Sequence, residues 1–288
     1  MLSYRHAYHA GNHADVLKHV VWCEILRYLA QKDKPFYVQD THAGAGLYDV
    51  SSEMMQKKQE YISGAVPLMR NAAGLQSSLL QNYVDIVRGF NPDTDDLQTY
   101  PGSPSIAQKF LRVQDRLLLT DLHGTELPQL KALFKGDKRV STRQADGYEV
   151  MISALPPKEG RGAVLIDPSY EVKDEYQTLP NRLGKALTRF PNGVYAIWYP
   201  VLGRTRTESF IKQLSLIIKS KNTKNSMATL RAELNVSPDR EEGFGMVGSG
   251  MFIINPPYTL KADLDLAMPE LLTNIAPQTG RFIIEENK

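Results

Sequence analysis

The run Ala163-Val164-Leu165-Ile166 is apolar without interruption and ends in Asp167. A surface strand alternates apolar and polar residues, whereas an unbroken run of this length is what a strand buried on both faces carries. Phe36-Tyr37-Val38, Leu117–Asp121, Arg139–Thr142 and Gly193–Tyr199 read as companion strands. Helical periodicity falls between them, over Asp15–Leu29, Thr125–Phe134, Tyr148–Leu155, Tyr176–Arg189 and Thr207–Ile218. In Leu230–Val236 apolar Leu230, Ala232, Leu234 and Val236 alternate with Arg231, Glu233 and Asn235, which predicts a half-buried strand, and Met251–Ile254 is the last strong strand. This βαβα rhythm predicts an α/β chain: an open, mostly parallel sheet with helices on both faces. Such a sheet binds its ligand outside the carboxyl ends of its strands.

One stretch breaks the rhythm. Ser51–Tyr100 shows no strong strand, and Ser78–Phe90 reads as an amphipathic helix stopped by Asn91-Pro92-Asp93. Residues 51–100 are therefore expected to be an inserted helical subdomain, with 1–50 and 101–288 forming the main domain. A single cysteine among 288 residues, Cys23, excludes an intrachain disulfide and any cysteine-based zinc site. No apolar stretch approaches the roughly 18 residues of a membrane span. The opening MLSYRHAYHAGNHADVLKH has no apolar signal-peptide core, so a cytoplasmic protein is expected. Lys plus Arg exceeds Asp plus Glu by 34 − 32 = +2, too little to announce a nucleic-acid partner. Acids drawn into a ligand cleft would, however, let a near-zero total hide a basic face.

Four acids follow the strands closely: Asp40, Asp121, Asp146 and Asp167. Turns favour Asp, so one means little; four in successive units mark a ligand edge. Gly44 and Gly46 follow the first strand, where glycine lets the backbone approach a nucleotide-like ligand. The same pair also suits an ordinary βα turn. Position 49 is Asp, so the dinucleotide fingerprint GxGxxG is absent. Asp121 stands where an acid can hold a ribose diol, with the insert accounting for its distance from the glycines.

Asp167-Pro168-Ser169-Tyr170 carries the sharpest chemistry. An exocyclic base amine is a poor nucleophile because its lone pair is delocalised into the ring. A carboxylate and a rigid backbone carbonyl that accept its two N–H bonds favour the tetrahedral geometry needed for attack on a methyl group. Asp167 and the Pro168 carbonyl supply these acceptors, and Tyr170 a ring to stack on the base. Asn255-Pro256-Pro257-Tyr258 matches the general amine-binding pattern more closely. Chain order argues against it, since no glycine loop follows it, and it is read as structural.

His6, His9, His13 and His19 crowd the N-terminus. His13 and His19 are six apart, off the i, i+4 face of a helical zinc site, and no metal is expected. Lys18 and His19 can instead reach the ligand edge, and Tyr4 and His6 a base or phosphate. Arg204, Arg206 and Lys212 form one basic group and Lys219, Lys221 and Lys224 another, suited to solvent or to phosphates.

Asp40-Thr41-His42-Ala43-Gly44-Ala45-Gly46 resembles the D-x-F-x-G-x-G loop of S-adenosylmethionine-dependent N6-adenine methyltransferases, with His42 in the Phe position. Together with Met1–His19, YPGSP at Tyr100–Pro104 and WYP at Trp198–Pro200, it is similar to one family over essentially the whole chain. That family is the bacterial large-subunit (23S) ribosomal RNA adenine-N6 methyltransferase J family. The resemblance implies a class I (Rossmann-like) methyltransferase fold with a seven-stranded sheet and a helical insert. It implies S-adenosyl-L-methionine as cofactor, held by Lys18, His19, His42, Gly44, Gly46, Ser103, Asp121, Asp146 and Gly147. It implies Asp167, Pro168 and Tyr170 as the catalytic set, and RNA contacts at Tyr4 and His6. The expected partner is 23S rRNA, naked or in early assembly, methylated by a monomer without metal or membrane. Ser169 departs from the family's second proline and leaves that loop less rigid. An N6-adenine methyltransferase acting on DNA, or a non-catalytic nucleic-acid-binding protein that keeps the fold, are the alternatives.

Overall fold

The computed structural model describes residues 4–171, 174–221, 227–238 and 245–287; Lys224 lies outside them. In chain order the elements are α1 (His13–Ala30), β1 (Tyr37–Asp40), β2 (Leu47–Asp49), α2 (Glu53–Lys58), α3 (Ala65–Arg70), α4 (Ser78–Arg88), β3 (Thr99–Pro101) and α5 (Ser103–Phe110). There follow β4 (Arg116–Asp121), α6 (Glu126–Leu133), β5 (Val140–Gln144), α7 (Gly147–Ala154), β6 (Gly162–Ile166), α8 (Glu175–Arg189), β7 (Val194–Val201) and α9 (Arg204–Lys221). The chain closes with β8 (Thr229–Asn235), β9 (Gly248–Ile254), α10 (Leu260–Ile275) and β10 (Arg281–Asn287).

The main sheet has eight strands in the order β10-β8-β9-β7-β6-β1-β4-β5. The five from β7 to β5 are parallel, so their carboxyl ends share one edge. β9 runs antiparallel to both β7 and β8, and β10 antiparallel to β8. The expected count of seven falls short by β10, whose short run Phe282-Ile283-Ile284 is only partly buried and is flanked by charged Arg281, Glu285 and Glu286. A separate two-stranded sheet, β2 with β3, brackets the helices α2 to α4, so Thr99–Pro101 adds a short strand where none was expected.

The apolar run of β6 is explained by two cores. Ala163 and Leu165 pack on one face with α1 residues such as Leu17 and Val21, and Val164 and Ile166 on the other with α8 residues such as Leu179 and Leu183. Each side chain of this size contributes about 1.5–3 kcal/mol when fully buried. Helix α1 begins where Asn12 caps it, its side-chain oxygen accepting from Ala14 N and Asp15 N at 2.9 and 3.0 Å. It is buried without a break from Ala14 to Leu26. Asp15, Lys18 and His19 are therefore carried on an element that is also core.

β8 departs from the half-buried expectation: all seven of its residues are buried. Two of its polar alternates, Arg231 and Glu233, are satisfied by each other and by neighbours. Arg231 Nη2 lies 2.6 Å from Glu233 Oε1 and from Glu208 Oε1, and Tyr199 donates to Glu233 Oε1 at 2.8 Å. Arg204 joins at 3.0 Å from Glu233 Oε2, so this member of the first basic group is held in an ion network. Buried charges persist when paired and hydrogen-bonded in this way. Among the described residues, no helix is long and apolar enough to cross a membrane.

Candidate active site

A cleft opens at the carboxyl edge of the parallel strands. It is lined by Tyr4, His6, Lys18, His19, His42, Gly44, Ser103, Asp121, Asp146, Gly147, Asp167 and Pro168, all expected from sequence. Asp121 ends β4, and its two oxygens accept backbone N–H groups, from Gly44 at 2.8 Å and His123 at 2.6 Å. The carboxylate is thereby locked in place with acceptor capacity left over. Asp146 caps α7, its Oδ1 accepting from Tyr148 N at 2.8 Å and Glu149 N at 3.2 Å. Gly147 follows because a Cβ there would collide with the Thr41 carbonyl. Gly44 takes φ +61, a conformation that favours glycine.

Asp40 lies beneath this surface. It accepts from Ser103 Oγ at 2.6 Å and His42 N at 3.2 Å, and burial pushes its carboxyl up to about 7. Gly46 also works from behind: its carbonyl accepts from Gly102 N at 3.0 Å and Ser105 Oγ at 2.6 Å, which pins the loop to the start of α5.

The wall formed by α1 holds the site's central charge. Lys18 Nζ lies 2.7 Å from Asp15 Oδ1 and 2.6 Å from Asp167 Oδ2. Burial alone would lower the ammonium's pKa, but the two carboxylates outweigh it and hold it above the usual lysine range. Asp15 also meets His6 Nε2 at 2.8 Å and Gly11 N at 2.9 Å; burial would raise its pKa, yet His6 and Lys18 keep it well below the carboxylate range. His6 Nδ1 continues to Tyr4 Oη at 3.0 Å, and Tyr4 N donates to Glu171 at 3.1 Å. One chain of contacts so runs from the N-terminal segment to Asp167. Asp15 was missed from sequence, although its i, i+3 spacing to Lys18 is a visible signal.

Tyr170 does not line the cleft. Its backbone has φ +54, its ring packs against Tyr176, Trp198 and Phe210, and its hydroxyl donates to the Trp198 carbonyl at 2.8 Å. It stands behind the wall, and Trp198, against which it packs, lines the cleft. Besides Asp15, whose Oδ1 is ion-paired to Lys18, four described lining residues carry buried polar atoms without a hydrogen-bond partner: His19 Nε2, Tyr148 Oη, Glu175 Oε2 and Trp198 Nε1. Burial lowers His19 to about 3 and raises Glu175 to about 7. Orphaned polar groups converging on one cleft suit a ligand that is itself rich in donors and acceptors.

The four N-terminal histidines diverge: His6 goes to Asp15, His9 to Glu60, and His19 Nδ1 lies 2.9 Å from Tyr100 Oη, while desolvation lowers half-buried His13 to about 4. Asn255 sits at the opposite edge of the sheet. It has φ +52 and donates to the carbonyls of Pro191 and Gly193, both at 2.8 Å, just before β7 begins. Tyr258 is exposed beside Tyr28.

The family described as "Ribosomal RNA large subunit methyltransferase D, RlmJ" matches residues 33–286. The chain is similar to the "Ribosomal RNA large subunit methyltransferase J" of Escherichia coli, 41% identical over 280 residues that cover 96% of this chain and 95% of the relative. The Haemophilus influenzae protein of the same name is 41% identical over 286 residues, covering 99% and 98%. A solved structure from Legionella pneumophila is 38% identical, with a TM-score of 0.87 over 97% of this chain and 99% of that one. A Rossmann-like sheet with acids at its strand ends, matched over nearly its full length by these relatives, places the chain in the RlmJ family of large-subunit ribosomal RNA methyltransferases.

Proposed function

We propose that this chain transfers a methyl group from S-adenosyl-L-methionine to the N6 amine of an adenine in 23S rRNA. Methyl transfer to large-subunit ribosomal RNA is the activity of its family. The adenine N6 reading rests on one observation: Asp167 and Pro168 line the same cleft as the strand-end carboxylates Asp121 and Asp146. The cofactor fits the residues present. Asp121 would take the ribose diol, Asp146 and Gly147 the adenine edge, and His19, whose buried Nε2 makes no hydrogen bond, the amino-acid end. Lys18, His42, Gly44 and Ser103 complete the lining, and Gly46 shapes the loop. When bound, the cofactor supplies an electrophilic methyl group.

The chain's own residues prepare the amine. Asp167 would accept one N–H and the Pro168 carbonyl the other, drawing the nitrogen toward tetrahedral geometry. Lys18, fixed by Asp15, holds Asp167 in place and keeps its charge balanced. Trp198, with Tyr170 braced behind it, offers the flat apolar wall a base needs, and Tyr4 and His6 approach from the N-terminal side. The target adenine must leave its stack, so naked or early-assembly RNA is the favoured substrate. We read the protein as a cytoplasmic monomer needing no metal, with 51–100 as a helical subdomain inserted into a domain formed by 1–50 and 101–288. The test is purified protein, labelled cofactor and naked 23S rRNA, with dsDNA in parallel. Absence of transfer, where a relative with Asp-Pro-Pro-Tyr works, refutes the activity; preference for dsDNA moves the substrate.

A further inference from the structure

The helices between β2 and β3 lie outside the cleft, yet one side chain there grips the segment that enters it. Glu60 accepts from His9 Nδ1 at 2.9 and 3.0 Å and from Asn12 Nδ2 at 3.0 Å. Asn12 caps α1, the helix that carries Asp15, Lys18 and His19. The His9 ring in turn stacks on Tyr4, with centroids 5.7 Å apart and planes inclined by 4°. Backbone joins backbone beside this contact: Ala65 N donates to the Gly11 carbonyl at 2.9 Å, and a Cβ on Gly64 would strike that same carbonyl. The inserted segment therefore holds the root of the N-terminal arm both by its main chain and by a carboxylate.

We infer that Glu60 is a positioning residue for RNA: through His9 it sets the plane on which Tyr4 stacks, and through Asn12 it ties that plane to the start of α1. The inference rests on the reading that Tyr4 meets the RNA. It gives the insert a task in substrate binding that needs no direct contact between Glu60 and the nucleic acid. The half-buried carboxylate suits this task. Burial would raise its pKa, but the hydrogen bonds from His9 and Asn12 outweigh it and keep Glu60 ionised at neutral pH. A Tyr4 ring without a fixed plane to stack on, held only at its hydroxyl and main chain, would have to be ordered on binding, at a cost in affinity.

The test measures affinity for a naked 23S rRNA transcript by filter binding without cofactor, alongside S-adenosylmethionine affinity by calorimetry. Glu60→Ala is expected to weaken RNA binding by about tenfold, of the order expected when a preorganised contact is lost, and to leave cofactor affinity unchanged. Glu60→Gln, which keeps one acceptor, should recover part of the loss and serves if the alanine variant fails to fold. Tyr4→Ala should cost about as much as Glu60→Ala, and the double variant little more, because both remove one coupled element. Unchanged RNA affinity in both Glu60 variants overturns the inference, as do fully multiplicative effects of Glu60→Ala and Tyr4→Ala. Unchanged affinity in Tyr4→Ala overturns it through the reading beneath it. Wild-type protein that binds RNA without methylating it refutes the proposed reaction and leaves this comparison readable.

Discussion

Lys18 Nζ is 2.6 Å from Asp167 Oδ2, across 149 positions of sequence, and both side chains are largely buried. The ammonium is shared with Asp15, so three charges on two elements form one unit. Removing one member strands the others. Lys18→Met should cost about 3–5 kcal/mol of stability, the usual range for breaking a buried pair. Adding Asp15→Asn should return part of that loss. Denaturant unfolding of the two single variants and the double variant checks this, and simple additivity would contradict the unit.

Asp167→Ala should lower methyl transfer by about 10²–10⁴, the range for a positioned proton-accepting group. Calorimetry should show the cofactor still bound, because its expected partners lie on β4, α7 and α1. Retained turnover would remove Asp167 from the reaction.

Ser169 Oγ accepts a long hydrogen bond from Glu171 N, at 3.4 Å. Ser169→Pro should leave turnover unchanged or raise it, since a second ring stiffens the loop that presents the Pro168 carbonyl. A complete loss in single-turnover rates would show that the loop must flex.

Asn255→Ala should leave methyl transfer per folded molecule intact and cost about 2 kcal/mol, from two lost hydrogen bonds and an unfavourable positive φ. Asn255→Gly, free of the backbone penalty, should cost less. Turnover falling with Asn255 rather than with Asp167 would exchange the roles of the two motifs.

Asp40 gives a pH signature. Its carboxyl is raised from 3.8 to about 7 by burial, so between those values the native state holds a proton that the unfolded state has released. Its contribution to stability is therefore full below the unfolded value and is lost as pH rises through 7. Asp40→Asn does not titrate. The variant's stability deficit should shrink by about 2.7 kcal/mol between pH 5 and pH 8, at 1.36 kcal/mol per unit over the two units below 7. A deficit that stays constant in urea titrations at the two pH values would show that Asp40 does not hold the proton.

The parallel half of the fold was legible because burial on both faces writes itself as apolar runs, as in β6 and β7. The acids at the strand ends were legible for the same reason: once the strands are placed, Asp121 and Asp167 mark the edge. Edge strand β10 was not legible, because partial exposure lets Arg281, Glu285 and Glu286 sit within it. The misreading of β8 has a related cause, since Arg231 and Glu233 look like surface until Glu208 and Tyr199 are seen to cover them. Trp198 meets Tyr170, and Glu60 meets His9, across stretches of sequence that no local spacing encodes. Tyr170, expected to stack on the base, is instead turned behind the wall by its backbone, which no spacing announces.

Strand β9 runs against β7, and the end of β9 thereby lies at the start of β7. A string of letters that would spell an amine clamp on a strand of the other polarity is carried to the rear of the molecule, where Asn255 closes a turn. Direction, and not composition, decides whether such a tetrapeptide is chemistry or masonry. The reaction proposed at Asp167, on the opposite edge, then places no demand on the exposed ring of Tyr258.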